Sequence, residues 1–259
     1  MEVHHHPHTE SPPAGRTGKK WTHYFFEFLM LFLAITLGFL VENQREHYVE
    51  HLRAKEYAKS LIEDLAADTT ELLDVIREDK IVISCFDSIN AIIQKGIKNT
   101  VPGSFYYYSN IATFSPTVVW YNATLTQITQ SGTLRYFKNA ELIKKLSYYY
   151  SNIVFITRLN TGDIGYRDEC IKIRGRIVNN YYFSRYSSYS IIRWLEIPDS
   201  LMKGQLPLQS TDPALLNEFA NSFETRRRVL NILINSYYAN AVRNATELIG
   251  MLKKEYHLK

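Results

Sequence analysis

Between residues 25 and 41 the chain reads FFEFLMLFLAITLGFLV, apolar at every position except Glu27 and Thr36, and no later segment repeats that density. Counted from Trp21, the run holds 21 residues, and at about 1.5 Å per residue a helix of that length covers roughly 30 Å, the thickness of a bilayer's hydrocarbon core. Trp21 and Tyr24 stand where an interfacial aromatic belt belongs, with Lys19 and Lys20 just outside it. The run starts after some twenty residues and is followed by Glu42-Asn43-Gln44-Arg45 without a small-x-small cleavage pattern, so it reads as an uncleaved anchor and not as a signal peptide.

Beyond the apolar run the pattern changes to a helical period. Residues 42–95 lack both Gly and Pro, and Leu61, Leu65, Leu72, Val75, Val82, Phe86, Ile89 and Ile93 recur at spacings of 3, 4 or 7. Ile62, Leu73, Ile76 and Ile83 widen the stripe, which suits a helix packed among several others better than a two-stranded coil. Asp68 and Asp79 fall on the apolar seam itself, and Ile81-Val82-Ile83 is the place where a β-branched run favours a kink or break.

Turn residues in 96–116 predict a loop with at most one helical turn, followed by a helix over 117–131 that Gly132 ends. Asn139 caps a helix running to about residue 159, and Asp163 opens a further one to about residue 182. Residues 186–210, with Pro198, Gly204 and Pro207, read as irregular. Asp212-Pro213 then starts a last helix, its apolar face marked by Leu216, Phe219, Phe223, Leu230, Ile234, Tyr237, Ala241, Leu248 and Leu252. The predicted fold is all-α: a transmembrane helix over 21–41 continuing into a long amphipathic helix, and an elongated antiparallel helical bundle over 42–259. Residues 1–20 form a His-rich tail without hydrophobic period, expected to be disordered.

Charge sharpens this picture. Residues 42–80 carry 11 acidic against 6 basic side chains and residues 81–259 carry 12 against 21, an asymmetry that complementary helices would use in packing. The overall balance of +4 is too small to indicate a nucleic-acid partner. Orientation rests on the tail between Ser11 and the apolar run, which holds Arg16, Lys19 and Lys20 and no acid, whereas Arg45, Arg53, Lys55 and Lys59 beyond it are interleaved with Glu42, Glu46, Glu50 and Glu56. This places the tail in the cytoplasm and the large domain outside.

Within the span Glu27, Ala34 and Gly38 share one helical face with Arg45. Ala34-x-x-x-Gly38 is a small-x-x-x-small pattern that lets two helices approach closely. Glu27 is either part of that contact or, as the simpler reading has it, a side chain within two turns of the boundary that snorkels to water. The partners expected are the lipid bilayer and either further copies of the chain or another membrane or envelope protein.

Candidate chemistry is sparse. His47-Tyr48-Val49-Glu50-His51 matches H-x-x-E-H, in which two His one turn apart bind zinc and the Glu acts as base. It lies six residues past the apolar run among side chains that read as solvated, and catalysis would need a third ligand and a sheltered cleft. His4, His5, His6 and His8 are unframed by any predicted element. Cys85 and Cys170, the only cysteines, are either one bridge or, more simply, two buried thiols. The aromatic groups at 148–150, 181–183, Tyr186, Tyr189, Trp194 and 237–238 read as core, with a surface platform over 181–194 as the alternative. Arg226-Arg227-Arg228 reads as a solvated face or as a partner to the acidic helix. P-loop, G-x-S-x-G, C-x-x-C and dinucleotide fingerprints are missing from the sequence. The expectation is a protein without enzymatic activity or cofactor, acting as an interaction or scaffolding module, with a ligand-binding sensor-like domain and a zinc hydrolase as alternatives.

Three stretches, MEVHHHPH at the start, KKWTHYFFEFLMLFLAITLGFLVENQREH at the anchor and SGTLRYFKNAEL at 131–142, resemble an uncharacterised family of bacterial single-pass membrane proteins. The resemblance covers about the first sixty residues and the corner around Gly132. It implies that the His-rich tail is native and that Ser131, Gly132, Leu134, Arg135, Tyr136 and Phe137 form a recurrent corner. It supplies no activity.

Overall fold

The computed structural model describes residues 17–186 and 197–258, so the His cluster of the tail, Tyr189 and Trp194 lie outside the described residues. Among the described residues the fold is all-α apart from one pair of three-residue strands and an isolated bridge between Val178 and Leu208. It divides into two compact units, Met1–Arg53 and Ala54–Lys259.

Helix α1 is assigned over Thr17–Gln94. In the first unit its apolar side chains from Trp21 to Val41 are mostly exposed, and by length and composition it is the one helix among the described residues able to cross a membrane. From Ala54 onward the seam read from the sequence is the buried face: Leu61, Leu65, Leu72, Val75, Val82, Phe86 and Ile89 are all in the core. The helix runs through Ile81-Val82-Ile83 without a break, because Val82 is fully buried and its two neighbours also pack on the core, which offsets their modest helix propensity.

Three expectations are corrected. Residues 96–116 are more than a loop: Gly96 turns the chain at φ +85°, strand β1 (Thr100–Pro102) follows, and helix α2 (Gly103–Ile111) buries Phe105, Tyr106 and Tyr107. Gly103 has no room for a side chain, since a Cβ there would run into the Leu201 carbonyl and the Tyr186 hydroxyl. The helix expected over 117–131 is only α3 (Ala123–Gln130). The preceding stretch stays out of the helix as carboxylates of α1 capture amides there and in the first turn of α3: Val119 N donates to Glu71 (3.4 Å), Tyr121 N to Asp68 (2.7 Å) and Thr124 N to Asp64 (3.1 Å). Thirdly, the two helices expected over 139–159 and 163–182 are one, α4 (Ala140–Ile177), which passes through Gly162 and Gly165 and keeps its seam in register from Leu142 to Ile177.

Several local signals hold as read. Gly132 takes φ +69° and ends α3, Asn139 caps α4 by accepting from Glu141 N (3.1 Å) and Leu142 N (3.2 Å), and Asp212 caps the helix that starts at Pro213 by accepting from Ala214 N (3.0 Å). Short α5 (Asp199–Lys203) leads into β2 (Gln205–Pro207), antiparallel to β1 with Val101 opposite Leu206. Helix α6 (Pro213–Ile232), a π-helical segment (Leu233–Tyr238) and α7 (Ala239–Tyr256) follow without a loop. This run lies antiparallel to α4: Arg176 meets Glu218, Asp163 meets Arg226, Lys145 meets Glu247 and Asn139 meets Glu255. Onto α1 it docks through Phe86 stacked on Phe223 (4.9 Å between centroids) and the Arg227–Asp87 ion pair (2.7 Å).

Candidate functional site

The middle of the second unit, where an apolar core would be expected, contains a cluster of polar side chains. Arg226 of α6 sits between Phe223 and Leu230 on the buried face and is 0% exposed. Its Nε and Nη2 donate to Oδ1 (3.0 Å) and Oδ2 (2.7 Å) of Asp163 on α4, a two-pronged pairing that fixes both side chains. Nη1 donates to the Ala112 carbonyl (2.6 Å) and Nη2 also to that of Phe114 (2.8 Å), so the guanidinium ties down the chain leaving α2. The Ser115 hydroxyl adds a bond to Asp163 Oδ2 (2.7 Å). Removing two charges from water is costly, and this degree of saturation is what makes such burial tolerable.

Asp79 of α1 belongs to the same cluster and is 1% exposed, yet among the described residues neither of its oxygens has a hydrogen-bond partner. Burial pushes its carboxyl up to about 7, the nearby Asp163 carboxylate pushes in the same direction, and Arg226 opposes both. One guanidinium therefore serves two buried carboxyls, and only one of them is bonded to it. Above them the Tyr238 hydroxyl, at the end of the π-helical segment, donates to Asn160 Oδ1 of α4 (2.6 Å). Burial raises the Tyr238 phenol, with a further push from Asp79, so it stays a neutral donor.

Between α4 and the α6 run a cleft of about 350 Å³ reaches this cluster, with Arg158, Leu159, Asp163, Tyr166, Ile232 and Tyr237 among its lining. Its apolar walls and single acidic contact are the composition of a small-molecule pocket. Cys170 lies beside the ion pair on α4 and Cys85 on α1; both are free and buried, and burial raises both thiols, Cys85 to about 12. Neither is activated as a nucleophile.

The residues singled out in the sequence are placed elsewhere. Ala34 and Gly38 lie exposed on the first unit's helix, and a Cβ added at Gly38 meets nothing within 4 Å. Glu27 pairs with His23 one turn earlier (3.7 Å). In the H-x-x-E-H stretch His47 Nδ1 meets Glu50 Oε2 at 3.4 Å on an exposed helix face, and among the described residues no group of three or more His, Cys, Asp or Glu side chains is arranged to hold a metal ion. Tyr181 is exposed while Tyr106, Tyr107, Tyr149, Tyr186 and Tyr238 are buried in the core.

Of the central cluster, sequence reasoning marked only Asp79, as a seam position. Asp163 appeared as a helix start and is corrected by its burial. Arg226 appeared in a triplet read as a solvated face or a partner to the acidic helix, and of these Arg227 does pair with Asp87 on α1 whereas Arg226 is buried against Asp163 of α4. The missed signal is register: Asn160 and Asp163 continue the spacing Tyr149, Ile153, Ile156 toward Cys170 and Ile173, and Arg226 continues Phe219 and Phe223 toward Leu230. No family model, curated protein or solved structure matches the chain.

Proposed function

We propose that the protein is a membrane-anchored interaction module, in which a single span carries a helical bundle that binds or scaffolds another component of the bacterial envelope. The observation that carries this reading is α1, whose exposed apolar stretch from Trp21 to Val41 precedes, in the same helix, the stripe around which the second unit is built. The periplasmic side for the large domain, the bacterial inner membrane and membership of the single-pass family resembled by the anchor are parts of the same proposal. So is self-association through the face of Glu27, Ala34 and Gly38, where small residues permit close approach.

Crosslinking in native membranes followed by identification of the attached proteins tests it. A stable protein partner, or a second copy, is the expected result, and crosslinked species containing neither would overturn it. Reporter fusions at the C-terminus, one active only in the periplasm and one only in the cytoplasm, test the orientation.

A second reading, a ligand-binding sensor-like domain, draws on the cleft between α4 and the α6 run, which has the size and lining of a small-molecule pocket. Ile232→Trp would fill it: under this reading a ligand that raises the melting temperature of the native chain no longer does so in the variant, whereas partner crosslinking is unchanged.

A further inference from the structure

The central cluster is unbalanced in a specific way. Asp163 has Arg226 and Ser115, Arg226 has Asp163 and two backbone carbonyls, Asn160 has Tyr238, and Asp79 has nothing among the described residues. A buried carboxylate left with no donor is among the costliest groups a core can hold, whereas a neutral carboxylic acid at the same position costs far less. The groups that bear on Asp79 are Glu78 on its own helix, Asp163 on α4, Arg226 on α6 and Tyr238 on the π-helical segment. Two of these four are carboxylates and one is a neutral phenol, and the single cation is already spent on Asp163.

We propose that the Asp79, Asp163 and Arg226 cluster is a proton-binding site, and that release of its proton loosens the π-helical segment Leu233–Tyr238 and the helices it joins. The π-helical segment is the natural responder. Its wider turns depart from the α-helical ladder on either side, a geometry concentrated at functional positions. Among the described residues its last residue, Tyr238, is hydrogen-bonded into the same cluster through Asn160. A second uncompensated negative charge beneath Tyr238 favours the opened conformation, in which Asp79 reaches water.

The sign follows from the raised carboxyl. The closed state holds a proton on Asp79 that the opened state gives up, so closure is fullest below the ordinary aspartate range, weakens as pH rises, and levels off above about 7. Over that window one proton gives an opening constant that grows by up to about tenfold per pH unit. Such a device would make the unit responsive to the acidity of its compartment.

Hydrogen exchange of peptides covering the π-helical segment, in the full-length protein in lipid nanodiscs, reads this directly once intrinsic exchange rates are divided out. The expected result is an opening that rises from about pH 5 and levels off above about pH 7 in the native chain, and is low and independent of pH in Asp79→Asn. A native chain with flat opening, or an Asp79→Asn chain with the same dependence as the native one, overturns the proposal. The infrared carbonyl band of a protonated carboxylic acid supplies a second readout that needs no folded variant. It should be present in the native protein at about pH 5.5 and fade by about pH 8.5, and its absence at the lower pH also overturns the proposal.

Discussion

Asp68 and Asp79 stand eleven residues apart on α1, three helical turns along the same buried seam, and each is 1% exposed. Their surroundings could hardly differ more. Asp68 accepts from the Tyr121 amide (2.7 Å) and the Tyr149 hydroxyl (2.9 Å), so that a loop and a second helix both use it as an anchor. Asp79 accepts from nothing among the described residues and faces another carboxylate. Burial raises both carboxyls, but at Asp68 the two donors pull back toward the charged form, whereas at Asp79 the neighbouring Asp163 adds to the rise. The same residue type on the same face is thus a structural fastener at one end of the seam and a titratable load at its middle. Exposure to solvent is equal; the supply of donors differs.

The largest test of this contrast removes the cation. Arg226→Met leaves Asp163 and Asp79 both buried with one hydroxyl between them, and also frees the carbonyls of Ala112 and Phe114. Breaking a buried pair from one side costs about 3–5 kcal/mol. Denaturant unfolding of the variant at neutral pH should show a loss of that order, and a smaller loss at acid pH, where protonation of Asp79 relieves the repulsion. A loss below about 1 kcal/mol would mean that the pair is no stronger than an exposed one.

Next in size are paired substitutions that set the two seam acids against each other. Asp68→Asn deprives either the Tyr121 amide or the Tyr149 hydroxyl of its acceptor, at a cost of about 1–3 kcal/mol. Asp79→Asn exchanges a buried, unbonded charge for a neutral amide of the same shape and should stabilise the protein above neutral pH by about 1–2 kcal/mol. Opposite signs at about pH 8, read from melting temperatures, are the expected outcome; equal signs would dissolve the distinction between them.

How much of this was legible in the sequence follows a physical division. The seam of α1, the Asn139 and Asp212 caps and the Gly132 stop were readable because each depends on spacing or on a local backbone preference. The stretch before α3 was not, since its non-helical form goes with Asp64, Asp68 and Glu71, some fifty to sixty residues away in sequence, accepting from amides there and in the first turn of α3. Asp163 misled for the opposite reason: it reads as a helix start, whereas α4 runs through it and through Gly162 and Gly165 with its buried seam in register on both flanking turns, which offsets the low propensity of the glycines. At the centre, Asp79 was visible as a charged residue on an apolar seam. That Arg226 belongs with Asp163 was hidden because the Arg triplet reads as a solvated face until the register of Phe219, Phe223 and Leu230 is carried through it.

The smallest effect expected is also the most discriminating. Tyr149→Phe deletes a single hydroxyl and leaves the ring packed against Trp120, so the cost at neutral pH is about 1 kcal/mol. Asp68 then keeps only the Tyr121 amide, and its carboxyl moves further above the ordinary aspartate range, toward the condition of Asp79. A carboxyl raised in the folded state contributes stability that is fully present below its unfolded value and is lost as pH rises through its folded value. The Tyr149→Phe protein should therefore match the native one at about pH 4 and fall progressively behind it toward neutrality. If the deficit is instead the same at every pH, the hydroxyl serves only as one more hydrogen bond, and donor supply is not what separates the fastener from the load.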